Sequence, residues 1–274
     1  MKKIELLMPA GNIEKMEYAI AYGGDAVYIG IGEFSLRSMI KGEIINRDNL
    51  AEAVSTCHKM GSKVYLTVNI FARNSDIESL RETLEIIKKA GPDGVIFSDP
   101  GIFNLLKREM PDTPLHLSTQ ANTLNYESAK FWYNQGVKRI ILARELSVKE
   151  IKEIKQAVPN MEIECFVHGA QCISYSGRCL LSDYMTYNER QANKGDCAQP
   201  CRWNYRLVEE TRPDEYYPIE QDSHGAYILS AKDLILINSI PDFIEAGVNS
   251  LKVEGRTKSV YYVSMVAKAY RKRK

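Results

Sequence analysis

The sequence has no apolar run long enough to span a membrane as a helix. It has almost no net charge, with 36 Lys and Arg against 35 Asp and Glu. A global electrostatic signature of nucleic-acid binding is therefore missing, and such binding would need a local basic patch. A leader peptide is missing too: "MKKIELLMPAGNIEKME" starts basic, but its apolar stretch is short and soon charged. No H-E-x-x-H motif and no recognisable Ser-His-Asp arrangement supply a nucleophile or an activated water. These absences predict a cytoplasmic protein without membrane contact. In that reducing compartment, clustered cysteines more often bind metals or act in redox chemistry than form disulfides.

What the sequence does contain is a repeat. Short apolar runs ("IELLMPAG", "DAVYIGI", "KVYLTVNI", "GVIFSD", "LHLSTQ", "RIILAR", "IECFVHG") alternate with amphipathic stretches. In "DIESLRETLEIIKKAG", Ile77, Leu80, Leu84 and Ile87 share one helical face, with Lys and Gly near its end. Strand–helix alternation implies a parallel sheet covered by helices. Seven such strands, with further candidates in "AYILSAKDL" and "SLKVEGR", would make an unusually wide open sheet. The predicted fold is α/β, a (βα)8 TIM-barrel-like parallel barrel, with the closing strand left open between the two later candidates. Residues 1–274 are expected to form one barrel-like catalytic domain. Residues 170–225 read as a Cys-rich insertion after the seventh strand, with a small hairpin around "RWNYRLVEE".

Chemistry in parallel sheets gathers at the C-terminal ends of strands. Those ends carry Gly11-Asn12, Tyr28 to Gly30, Asn69, Asp99, Gln120 to Asn122, Arg144-Glu145, His168-Gly169, Lys252, Glu254 and Arg256. Any one of these could be an ordinary solvated loop residue. Together they predict a concave mouth of amides, one histidine and several cations, suited to a small carboxylate- or phosphate-bearing ligand. Arg37, Arg144, Arg178 and Arg256 are the candidate anion clamps, and Glu145 and Glu254 the candidate acids or bases. Period-2 alternation puts Glu164, Phe166 and His168 on one strand face. With His168 toward the mouth, Cys165 points to the helix layer as a small buried hydrophobe. Cys57, in a helical pattern, reads the same way.

Four cysteines remain: Cys172, Cys179, Cys197 and Cys201, spaced C-x6-C-x17-C-x3-C. Structural zinc usually shows close pairs at both ends, and only the second pair here is close. An iron–sulfur cluster needs about four thiolates and tolerates irregular spacing. A thiol nucleophile beside His168 would leave three cysteines unexplained. On the residues alone, zinc and iron–sulfur stay open.

The segments "ELLMPAGNIEKMEYAIAYGGDAVYIG", "HLSTQ", "ECFVHGAQCISYSGRCLLS", "CAQPCRW" and "SLKVEGRTKSVYYV", in this order, resemble the U32 peptidase family, also called collagenase-like. Residues 164–182 match the family's own signature. The name points to proteolysis, but the resemblance is in particular to a branch that makes 5-hydroxyuridine at the wobble position of tRNA, with prephenate as a required metabolite. Sister branches hydroxylate a ribosomal cytidine or a quinone precursor. The resemblance implies an iron–sulfur enzyme with a 4Fe-4S cluster on Cys172, Cys179, Cys197 and Cys201, the last being the least constrained among relatives. His168, Arg144, Glu145, Arg178, Glu254 and Arg256 are the candidate catalytic residues. The implied partners are tRNA, a small carboxylate metabolite and an electron-donor protein. A small C-terminal domain found in many family members is expected to be absent. Tyr175 and Trp203 are expected to pack in a core, with stacking on an unpaired base as the alternative. The basic stretch from Arg271 to Lys274 is a solvated helix end or a phosphate contact.

Overall fold

The computed structural model describes residues 4–36, 44–172, 174–175, 178–187, 189–203, 206–218 and 233–274. In chain order the strands and helices are β1 (Glu5–Pro9), α1 (Ile13–Ala21), β2 (Ala26–Gly30), α2 (Leu50–Lys59), β3 (Lys63–Val68), α3 (Ile77–Ala90), β4 (Gly94–Phe97), α4 (Pro100–Glu109), β5 (Leu115–Leu117), α5 (Tyr126–Asn134), β6 (Arg139–Ile141), α6 (Val148–Ala157) and β7 (Glu162–Gly169). There follow α7 (Leu181–Met185), a hairpin of β8 (Arg206–Glu209) and β9 (Arg212–Pro218), then β10 (Leu234–Ile235), α8 (Ile240–Glu245), β11 (Ser250–Val253) and α9 (Val260–Arg273).

Strands β1 to β7 pair in order and all in parallel, and β11 inserts between β7 and β1. This closes an eight-stranded parallel barrel wrapped by helices, the predicted fold. The closing strand is the one in "SLKVEGR". Of the other candidate, 226–234, only Asp233 and Leu234 lie among the described residues. Leu234 begins β10, a short strand antiparallel to the end of β7.

Strand alternation divides the core in two. Leu6, Met8, Val27, Ile29, Val64, Leu66, Val95, Phe97, Ile140, Ile163, Cys165 and Leu251 point outward under the helices. Leu7, Ala26, Tyr28, Tyr65, Ile96 and Ile141 point inward, with Phe166 against them. Burial on both faces is why these strands read as near-continuous apolar runs. On α3 the predicted face holds: Leu80, Leu84 and Ile87 are buried, and Gly91 ends the helix in the left-handed conformation at φ 68°. Among the described residues, no helix is long and apolar enough to cross a membrane.

The lower end of the barrel interior is filled by charge. Arg139 donates to Glu5 (2.6 Å), Glu164 (3.0 Å) and Glu162 (2.8 Å). Lys252 donates to the other oxygen of Glu164 at 2.8 Å. Tyr65 and Ser250 donate to Glu5 at 2.7 and 2.9 Å. Glu164 is fully buried. Burial alone would push its carboxyl up, but Lys252 and Arg139 outweigh burial and hold it below the ordinary glutamate value.

Two outcomes follow. Lys252→Met leaves Glu164 with one cation in place of two, and the unfolding free energy in a urea titration should fall by about 3–5 kcal/mol. A loss under about 1 kcal/mol, the scale of an exposed pair, would contradict the assignment. The lowered value of Glu164 also fixes a sign. Its contribution is fully present above the unfolded glutamate value of roughly 4.3 and is lost as pH falls through the folded value. Stability should therefore begin to decline as pH falls toward about 4.3 and go on declining through the lower folded value, and less steeply in Glu164→Gln.

Candidate functional site at the barrel mouth

The C-terminal strand ends enclose a cavity of about 130 Å³. Tyr28, Thr67, Asn69, Ser118, Gln120, Arg144, Phe166, Lys252, Glu254 and Arg256 are among the residues that line it. Lys252, on an inward position of β11, ties this mouth to the charged plug below. Its ammonium lies 4.5 Å from the centre of the Tyr28 ring and bonds Glu164. Arg256 is 5% exposed and donates to Ser35 Oγ (2.7 Å) and Thr67 Oγ1 (3.0 Å). Thr67 in turn donates to the Ile29 carbonyl at 2.9 Å.

The path of Arg256 requires Gly30. A Cβ there would lie 2.1 Å from Arg256 Nη1 and 2.5 Å from Ser35 Oγ. Arg144 stacks 4.1 Å over the Phe166 ring and donates to the Ala170 carbonyl at 2.9 Å. Glu254 is 7% exposed. Gly169, at φ 106°, lets the chain pass so close to the Glu254 carbonyl that a Cβ would be 2.7 Å from it.

A second cavity, of about 120 Å³, adjoins the mouth. Cys172, Cys179, Cys197 and Cys201 all line it. Cys172 and Leu36 line both cavities. Ser182, fully buried, staples this segment: its Oγ donates to the Arg190 carbonyl (2.7 Å) and accepts from Ala198 N (2.9 Å). Lys194 pairs with Asp76 at the start of α3 and holds the segment to the barrel.

Backbone N–H groups of Leu181 and Gln199 donate to the Cys179 and Cys197 sulfurs at 3.4 and 3.3 Å. Burial raises the Cys201 thiol above its usual value, and its three companion cysteines add to the rise while Arg202 opposes it. The four sulfurs are thus electrostatic neighbours around one space. Among the described residues, no three His, Cys, Asp or Glu side chains form a group that could hold a metal ion. The four thiols share the lining of one cavity. A single zinc ion would need its sulfurs at about 2.3 Å; a body of several irons spreads its thiolates further apart. The donor set fits such a body: four thiols, two of them already accepting backbone N–H bonds of the kind that tune iron–sulfur centres.

The other site candidates lie elsewhere. His168 does not line the mouth. β7 carries one extra residue against β11, between the pairs Phe166–Lys252 and His168–Val253. This bulge puts Val167 and His168 on the same, outer side. The His168 ring packs against Tyr262 and Tyr270 of α9, with centroids 5.8 and 5.5 Å away, and burial lowers its pKa. Alternation holds for Glu164, Cys165, Phe166 and Val167 and fails at His168.

Glu145 is exposed in the turn after β6 and reaches neither cavity. Arg178 is exposed and lies over Phe71, 5.3 Å from its centre, outside both linings. Arg37 falls outside the described residues. Asn12 and Asp99 cap α1 and α4. Cys57 and Cys165 are buried hydrophobes, as expected, and burial raises the Cys57 thiol to about 12.

Tyr175 and Trp203 are not in a core: they are 49% and 44% exposed. Tyr184 and Tyr187, which the sequence reading missed, are more exposed still. No periodicity marks them, because α7 is a single short turn in an irregular segment. Arg271 and Lys274 bond Asp25, just before β2, and so sit at the barrel end opposite the mouth. The remaining described histidines are also distant. His58 pairs with Asp93 at 2.9 Å on the outside, and His116 is enclosed beside Tyr65.

Comparison with known proteins gives a family. The model of peptidase family U32 matches residues 11–274. The chain is 42% identical to tRNA hydroxylation protein P of Escherichia coli strain K12, over 99% of this chain and 68% of that protein. It is 45% identical to tRNA hydroxylation protein P1 of Bacillus subtilis strain 168, over 99% of this chain and 63% of that protein. The chain thus spans about two thirds of the length of these relatives. A solved structure described as a U32 peptidase superposes with a TM-score of 0.60 at 14% identity, covering 93% of this chain and 94% of that one, which shows the shared fold. With the family's model matching nearly end to end, the chain belongs to peptidase family U32.

Proposed function

We propose that this protein is an iron–sulfur RNA-modifying enzyme that hydroxylates a uridine of tRNA, forming 5-hydroxyuridine at the wobble position. In this reading Cys172, Cys179, Cys197 and Cys201 hold a 4Fe-4S cluster, and the mouth receives a small carboxylate such as prephenate. The observation that carries the reading is the shared wall: Cys172 faces both the thiol-lined cavity and the cation-lined mouth. The names of the relatives support RNA hydroxylation as the reaction class.

Converting C–H to C–OH takes two electrons from the base and adds an oxygen atom, so the reading requires an external oxidant that carries the oxygen; the cluster, when bound, would supply electron transfer. The chain's own residues bind and orient. Arg256, Lys252 and Arg144 offer cations to a carboxylate. The Phe166 and Tyr28 rings shape the wall, and Glu254 supplies an acceptor at the rim. Tyr175, Tyr184, Tyr187 and Trp203 present exposed rings within the Cys-rich segment, where an unpaired base could stack. An electron-donor protein would complete the cycle. Six free cysteines agree with a cytoplasmic place of work. Proteolysis is the weaker reading, because no described histidine lines either cavity to act as a base.

Anaerobically purified protein should be brown and carry about four irons per chain. Cys172→Ser and Cys179→Ser should each lose the colour and the iron, while Cys57→Ser keeps both. Full iron content in Cys172→Ser would remove that residue from the ligand set. Mass spectrometry of tRNA nucleosides from cells lacking the gene should show no 5-hydroxyuridine, and its undiminished presence would overturn the RNA reading.

A further inference from the structure

The mouth contains an amide whose direction is fixed by its neighbours. The Leu36 backbone N–H donates to Asn69 Oδ1 at 3.1 Å. A backbone N–H can only donate, so the Asn69 oxygen faces Leu36 and its nitrogen faces the other way. That nitrogen donates to Gln120 Oε1 at 2.6 Å. Ser98 and Ser118 donate to the same oxygen at 3.1 and 2.9 Å. Three donors converge on Gln120 Oε1, and turning the amide round would set its NH2 group against that of Asn69.

The consequence falls on Nε2. Gln120 is 3% exposed and stands in the wall of the mouth cavity. Its Nε2 is buried and has no hydrogen-bond partner. Buried polar nitrogens are almost always satisfied, and one left over at a cavity wall points to a missing acceptor. Lys252 and Arg256, 4% and 5% exposed, line the same cavity. In a cavity lined by the cations Arg144, Lys252 and Arg256 against the one carboxylate of Glu254, an acceptor that meets this N–H donor is best matched by a carboxylate oxygen.

We propose that Gln120 is a specificity-determining residue of the mouth, whose Nε2 donates a hydrogen bond to a carboxylate oxygen of the bound small molecule. This rests on the reading of the mouth as a carboxylate site, and it needs neither the RNA substrate nor turnover. A phosphate would meet the same cations, but its tetrahedral oxygens carry more charge than one amide and two already engaged cations offset. Inorganic phosphate therefore serves as the competing probe.

The test is calorimetric titration of prephenate, and separately of inorganic phosphate, into anaerobically purified full-length protein. Gln120→Met keeps length and removes the donor without adding charge. Gln120→Glu keeps an oxygen for Asn69, Ser98 and Ser118 but offers the ligand an acceptor. Prephenate should bind the wild type, bind Gln120→Met about tenfold or more weakly, and bind Gln120→Glu more weakly still. Iron content and thermal midpoint should stay near wild type in Gln120→Glu, which retains every bond to the amide oxygen. Wild-type affinity for prephenate in Gln120→Met overturns the role of Gln120 and leaves the carboxylate reading standing. Should Gln120→Met not fold, undiminished binding by Gln120→Glu overturns it equally. A wild type that binds phosphate and not prephenate overturns both.

Discussion

The fold depends on satisfying one buried carboxylate. Glu164 sits fully inside the barrel, and its two oxygens are taken by Lys252 and Arg139. Arg139 begins β6, Glu164 is on β7, Lys252 is on β11, and Glu5, which Arg139 also holds, begins β1. Those four strands are consecutive in the closed sheet and form the seam where the barrel shuts. Closing the barrel and neutralising its interior charge are therefore one event. An isolated buried carboxylate would be intolerable; a seam that opened would strand it. The plug fills the N-terminal end of the barrel interior. Side chains that pair with one another at the N-terminal end leave the C-terminal end to amides and cations with outward business.

This constraint clarifies how the chain reads in one dimension. The seven apolar runs and the helical face of Ile77, Leu80, Leu84 and Ile87 declare themselves through spacing, because burial on two faces or on one stripe writes its period into the sequence. The closing strand is harder, because β11 follows the Cys-rich segment and only partners already in place distinguish it from other apolar stretches. His168 shows the limit most sharply. Alternation from Glu164 assigns it to the interior, and a single extra residue against β11 sends it to α9. A bulge is a property of two paired strands, so neither strand alone encodes it legibly.

The candidate site divides in the same way. The cysteines announce themselves by density, and the structure brings all four to one cavity. Arg144, Glu254 and Arg256 sit at strand ends and reach the mouth; Glu145, next to Arg144, turns outward because adjacent residues of a turn face different ways. What sequence could not show is direction. Gln120 is one polar residue among several until Asn69, 51 residues earlier, and Leu36, a further 33, fix which amide atom is left without a partner. Such an arrangement has no local pattern, since each link belongs to a different strand end.

Charge then links the two cavities. Burial first, and the neighbouring thiols second, hold the Cys201 thiol above its usual value. Once ionised the four thiols would form the negative side of the shared wall, and Lys252 and Arg256 form the positive side of the mouth. A carboxylate in the mouth is drawn toward these cations. Arg256 is kept from collapsing onto that ligand by Ser35 and Thr67, and the room it needs is the hydrogen of Gly30. The same order, plug below, cations above it and thiols at the side, follows from keeping each buried charge next to its opposite.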